Sequence, residues 1–389
     1  MIAQRACREF LDAARRAARA SGRAAWIAPG LAASALLLRW AADGSPELVE
    51  RLYSRTLYPG IQLGLSTLAG SFPFSVGQLA LAAALAWVAL ILVRLVRAAV
   101  RPAPERLERV AGELWRLARF ACWLYAAYMF GWAFNYAREP FALAARLDVR
   151  PATADEVEQT AREWLQRAAE LRSKLPEGPD GVVALSPDFA RHVEAIARAW
   201  ERAAELDPRL AGPKPALREC GISSLMTAAG IAGIYWPFTG EPHVNAQPPL
   251  HSRLFSSLHE VAHQRGFARE DEANYLACFV GWRSEDPELA YSAALMAFRY
   301  LSAPLFVTRP DSWFALSTDV PAGVQRDKQA IERFWKPQSR AVQQLRTASH
   351  AINDTYLKAQ GQRSGVRSYG RMIDLLIAER RPRLEPQQR

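Results

Sequence analysis

Histidine, cysteine and methionine are all scarce, with six, four and five among 389 residues. Lysine is nearly missing too, so the formal net charge of +10 is carried almost entirely by arginine. The chain has no glycine-rich phosphate loop and no internal repeat, and nothing marks a Ser-His-Asp or Cys-His arrangement. Cys7 and Cys122 lie in the apolar first third. Cys220 and Cys278 have a spacing that fits no metal motif; they could pair in an oxidising compartment, and two buried thiols would explain them equally well. An arginine excess often points to nucleic acid. Here the arginines gather beside apolar segments, which fits membrane topology instead, and no nucleic-acid partner is expected.

Residues 1–25 form a basic amphipathic lead-in with Arg5, Arg8, Arg15, Arg16, Arg19 and Arg23. Three apolar segments then read as transmembrane helices, at about 24–42, 76–93 and 120–136. The first is broken by Pro29, contains Gly30 and is the weakest; a signal peptide is its rival, but the basic region is long and further apolar segments follow. The third is rich in Trp and Tyr, which suit a membrane interface. Between the second and third crowd Arg94, Arg97, Arg101, Arg106, Arg109, Arg116 and Arg119, whereas the preceding loop has only Arg51 and Arg55. The positive-inside rule puts the amino terminus in the cytoplasm and everything after about residue 137 outside. The expected layout is a membrane region over 1–140, embedded in the lipid bilayer of the cell (inner) membrane, and an extracytoplasmic domain over 141–389. A soluble bundle is the weaker alternative, because water-soluble helices seldom stay apolar all round.

The second part reads as mainly helical. Amphipathic helices are expected over 154–171 and 187–206, then over 251–265, 269–282, 287–305, 324–360 with a break at Pro337, and 369–380. The run Ile231-Ala232-Gly233-Ile234-Tyr235-Trp236 is the best strand candidate, followed by a turn at Thr239-Gly240-Glu241-Pro242. The tail 381–389 is expected to be disordered. The fold class is therefore mainly α with a minimal β edge.

One stretch carries chemistry. His259-Glu260-Val261-Ala262-His263 has the H-E-x-x-H spacing, between the turn-like Gln247-Pro248-Pro249 and the helix-ending Gly266. Residues four apart lie one above the other on a helix, so both imidazoles can aim at one Zn²⁺. Glu260 can reach a water at the ion's open position and serve as general base. A third protein ligand is still needed. His192, His243 and His251 have no convincing spacing. From the next helix Glu270, Asp271 and Glu272 are open, and they point about 100° apart per residue, so only one should reach. For an oxyanion donor, Tyr291, Arg265, Tyr356 and Tyr369 qualify by residue type alone.

Glu270-Asp271-Glu272-Ala273-Asn274 resembles the E-x-x-A-[D/N] pattern of gluzincin-type zincin metalloproteases. The resemblance implies Glu270 as third ligand and Asn274 as the group behind a ligand histidine. The opening H-E-x-x-H-x-x-G is also similar to the metzincin motif, but its third histidine would fall at Arg269. The wider run YWPFTGEP, HEVAHQRGFAREDEANYLA and YLKAQGQRSGVRSYGRMIDLL resembles the domain-of-unknown-function 3810 family over roughly residues 20–380. That resemblance implies bacterial membrane proteins with amino-terminal spans and an outward zincin-like domain. In a zincin, the edge strand, here Ile231 to Trp236, pairs with an extended substrate. The expected function is a membrane-anchored zinc peptidase acting on extracytoplasmic peptides or proteins. The alternatives are a zinc amidase on cell-wall peptide, or a non-catalytic membrane scaffold or sensor that keeps the fold.

Overall fold

Among the described residues, three helices are long and apolar enough to cross a bilayer, and they differ in what covers them. Buried share of the most apolar window is 6% for Val76–Val100, 22% for Arg23–Asp43 and 67% for Pro287–Thr308. The first two leave leucines such as Leu37, Leu79 and Leu85 more than half exposed. Pro287–Thr308 is instead the central strut of a protein core, packed on Ala154–Arg172 and on the helices Leu250–Gln264 and Glu270–Trp282. Its small residues Ala290, Ala293, Ala294 and Ala297 permit that close approach. In this computed structural model, which describes residues 2–101 and 105–385, the chain is mainly helical with one small sheet.

Several helices start at a capping side chain. Thr153 and Glu156 form a reciprocal capping box at the start of Ala154–Arg172. Ser75 caps Val76–Val100 by accepting from the Gln78 amide. The expected helix over 324–360 is two, Ala322–Trp335 and Arg340–Ala359, separated at Pro337. The last expected helix is a 3-10 turn, Gly365–Arg371, leading into Met372–Ala378.

Four expectations need correction. Pro29 and Gly30 do not break the first apolar helix: Ile27–Asp43 takes Pro29 in its first turn, where no amide donor is needed. The segment 120–136 is not a helix of its own. Arg106–Gly131 starts earlier, carrying the arginines in its first half, and Ala133–Ala137 is a buried 3-10 turn beyond it. The loop between the first two apolar helices is also helical: Pro46–Val49, a π-helical Glu50–Leu57 and Tyr58–Gly70 follow without a gap, and together are called the bracing helix below. Finally, part of the tail is tied down. Arg381 pairs with Glu156 and the Leu384 amide donates to the Arg146 carbonyl; 386–389 lie outside the described residues.

The sheet has three strands in the order β1 (Arg218–Glu219), β3 (Glu241–Val244), β2 (Gly233–Trp236). β3 is parallel to β1 and antiparallel to β2, with Tyr235 opposite Pro242. The strand is shorter than expected. Ile231 and Ala232 precede it, after a short helix, Ser223–Ala229, that ends at left-handed Gly230 (φ 77°). Ala232 still contributes one rung, since its carbonyl accepts from the Asn245 amide. β2 is an edge strand.

Candidate metal centre

Leu250–Gln264 packs on both β2 and β3 and carries the H-E-x-x-H residues. It stops at Arg265, and Gly266 turns the chain with φ 84°. A Cβ there would sit 2.9 Å from the Tyr58 ring and 3.1 Å from Asn135 Oδ1, so glycine serves both the left-handed turn and the close packing. The turn brings Glu270, first residue of Glu270–Trp282, back against the histidines.

His259, His263 and Glu270 are all buried and offer donor atoms within 4.8 Å of one another. Glu270 Oε2 lies 3.2 Å from His259 Nε2 and 3.5 Å from His263 Nε2. Ligand atoms about 2.0–2.2 Å from a tetrahedral zinc are about 3.4 Å apart, so these separations match two edges of a zinc site. The other ring nitrogens are already committed. His259 Nδ1 is 2.8 Å from Asn274 Oδ1, and His263 Nδ1 is 2.8 Å from the Phe267 carbonyl. With Nδ1–H donating to an oxygen acceptor, each ring turns its Nε2 towards Glu270, where a proton or a metal ion can sit. Glu270 Oε2 is buried and makes no well-directed hydrogen bond. Two imidazoles, one carboxylate and an orphaned oxygen aimed between them fit zinc.

The charges point the same way. Burial pushes the Glu260 carboxyl up, opposed by His259 and His263. For His263 burial works downwards, but the adjacent Glu270 carboxylate outweighs it and carries the imidazole up to about 9. Burial would raise Glu270, yet the two histidines hold it well below the usual carboxylate range. Two buried carboxylates thus demand compensating positive charge, which protons on the imidazoles or one divalent cation can supply.

The remaining expected residues divide cleanly. Glu272 faces away, accepting from the Phe141 amide at 2.8 Å, and Asp271 accepts from the Glu272 amide. His192 is bound to Glu288, His243 to Ser75 and His251 to the Asp327 carbonyl, so none joins the site. Tyr291 is held by Asp327, and Arg265 by the Leu210 carbonyl and the Trp200 face; neither can act as the oxyanion donor. Tyr369 does reach the site, stacking on His259 with ring centroids 6.1 Å apart. Burial, and next the nearby Glu270 carboxylate, keep its hydroxyl protonated, with a pKa well above the ordinary tyrosine value. Cys220 and Cys278 are both buried and unpaired.

Some site residues carry no signal in the sequence. Gly233 on β2 lies so close to Glu260 that a Cβ would collide with the Glu260 carboxylate. The Tyr235 amide lies near the same carboxylate and favours its charged form. Trp132 donates to the His263 carbonyl at 3.1 Å and Tyr58 to the Gln264 carbonyl at 2.8 Å, both from residues expected in the membrane region. The helix Arg340–Ala359 strides past the site. Arg346 bonds to the Thr227 carbonyl, Asn353 to the Tyr369 hydroxyl, and Tyr356 to Tyr128 and Tyr136.

The pattern of a family described as "Protein of unknown function (DUF3810)" matches residues 53–377. The chain belongs to this family. No curated protein and no solved structure matches it. The family match takes in the bracing helix from Tyr53, two long helices and the histidine site together. That extent agrees with the contacts: the site is built from both sides of residue 140.

Proposed function

We propose that the protein is a membrane-anchored, zinc-dependent peptidase that hydrolyses extracytoplasmic peptides or proteins through a zincin-like domain. The observation that carries this reading is the convergence of His259, His263 and Glu270 at zinc-ligand spacing, with Glu260 beside the free edge of β2. When bound, zinc supplies Lewis-acid polarisation of the scissile carbonyl and of the attacking water. Glu260 takes the water's proton as the new C–O bond forms and returns it to the amine as the C–N bond breaks. Burial favours this by raising the basicity of its carboxylate. Tyr369, a protonated donor over His259, is placed to stabilise the carbonyl oxygen as it gains charge.

The β2 edge supports a peptide as substrate. Ala232 bonds inward to β3, so by strand alternation residues 234 and 236 do too, while Gly233 and Tyr235 face outward. The Tyr235 amide faces Glu260, and the Gly233 groups and the Tyr235 carbonyl are left for an extended chain. Topology is part of the reading. Arg16, Arg94, Arg97, Arg101, Arg109 and Arg116 share one cavity among the long helices, with Glu105, Glu108 and Glu113. The domain packs at the other ends, through Ser75, Trp132 and Arg138. A cytoplasmic arginine pole puts the domain outside.

The test is elemental analysis of full-length protein together with cleavage of a peptide library. About one zinc per chain is expected, with hydrolysis abolished and zinc retained in Glu260→Gln. Wild-type protein without zinc sinks the reading. So does a zinc-loaded protein with no Glu260-dependent cleavage, which would favour a scaffold. A carboxyl-terminal reporter active only in the cytoplasm would overturn the topology.

A further inference from the structure

The bracing helix is inside out. Its buried side chains are Val49, Glu50, Ser54, Tyr58, Gln62, Ser66 and Ala69, and from Glu50 to Ser66 they form a stripe at four-residue spacing that is polar throughout. This stripe faces the domain along its whole length. Glu50 pairs with Arg138, Tyr58 donates to the Gln264 carbonyl, and Gln62 and Ser66 donate to the Gly240 carbonyl. At the far end the Ala69 and Phe72 carbonyls accept from Arg218. The helix therefore lies along the domain and does not cross a bilayer away from it. Its exposed side carries Leu48, Leu52, Leu57, Leu63 and Leu68, continued by Phe72 and Phe74, each between 39% and 59% exposed. A helix in water has the opposite arrangement.

We infer that this exposed face is seated in the bilayer interface, so that the bracing helix holds the domain against the membrane surface. Chain continuity names the occupant: apolar helices join it at both ends, Ile27–Asp43 before and Val76–Val100 after. Residues 44–45 and 71–75 are too few to carry it far from where those helices leave the bilayer. An apolar face with the exposed Arg51 beside it is the pattern of an interfacial helix. The inference stands without the peptidase reading. Joined to it, it adds a substrate class: Tyr58 touches both the exposed helix and the carbonyl next to His263, so the site sits about one helix diameter from the membrane and suits polypeptides anchored in or lying on the bilayer.

The test is site-specific photocrosslinking in native membranes of the full chain. A benzophenone amino acid replaces Leu57, Leu63 or Leu68 in turn, with Trp40 on the first apolar helix as the lipid-exposed control and Leu206 on the domain as the water-exposed one. Lipid adducts at all three positions, at yields within about two-fold of Trp40 and at least ten-fold above Leu206, are expected. Adducts at Trp40 alone would overturn the inference. A crosslinked dimer would overturn it too, since Gly60 and Gly64 on the same helix have open space that a second copy could fill. Peptide cleavage is read separately, so an inactive protein that labels lipid refutes the peptidase and not the seating of the helix.

Discussion

The Nδ1 of His259 lies 2.8 Å from Asn274 Oδ1, and the amide nitrogen of Asn274 is in turn 3.0 Å from the Tyr369 carbonyl. The second contact fixes which end of the amide faces the imidazole, because only the nitrogen can donate to a carbonyl. The first then fixes the ring's tautomer and orientation. We predict that Asn274→Ala weakens zinc binding by about 10–100-fold while the protein stays folded. Competition with a chromophoric chelator measures it, and unchanged affinity would show that the asparagine does not orient the ligand.

The carboxylates Glu270 and Glu272 are two residues apart and have opposite fates. Glu270→Ala removes the carboxylate proposed as the third ligand and is expected to abolish stoichiometric zinc. Glu272→Ala leaves the Phe141 amide without its acceptor and should lower thermal stability, by about 1–3 kcal/mol, at unchanged zinc content. Zinc loss in Glu272→Ala with none in Glu270→Ala would reverse the assignment.

Gly233 gives a way to disturb the base without touching the ligands. Its added methyl group in Gly233→Ala would displace the Glu260 carboxylate. Zinc should remain at about one per chain, while kcat/KM falls by about 100-fold or more, the size of a general-base contribution. Full activity in this variant would mean that Glu260 has room to act elsewhere.

Much of this centre was legible because its logic is local. The four-residue spacing of His259 and His263 sets a helix face, and Gly266 closes that helix where the chain must return to Glu270. Tyr58, Gln62, Trp132 and Gly233 carry no such signal. Each acts through a contact over more than 25 residues of chain, and the first three sit in segments whose apolar composition speaks only of membrane. The bracing helix shows why. Its polar residues fall on both sides, with Glu47, Arg51, Arg55 and Thr56 exposed and Glu50, Ser54, Gln62 and Ser66 buried, so their pattern does not mark an inner face. Only the packing shows that its polar side is the inner one. Pro287–Thr308 is the converse case: composition alone cannot tell a lipid-covered helix from one covered by protein.

The polar stripe makes a last prediction, concerning stability. Arg138 and Glu50 form a two-bond ion pair at 2.8 Å, both nearly fully buried, and Arg138 also donates to the Gly266 carbonyl at 2.9 Å. Glu50→Ala strands the arginine's charge in the interior, which should cost about 3–5 kcal/mol and loosen the turn that delivers Glu270. Adding Arg138→Met to that variant should recover most of the loss, because an apolar replacement of a buried pair is often close to neutral. Asp155→Ala, which breaks the exposed contact with Arg309, serves as control and should shift stability by less than about 1 kcal/mol. Thermal unfolding of full-length protein in detergent reads all three. A Glu50→Ala effect no larger than the Asp155 control would mean that the bracing helix is not fastened to the domain through this pair, and that the apolar spans alone hold it in place.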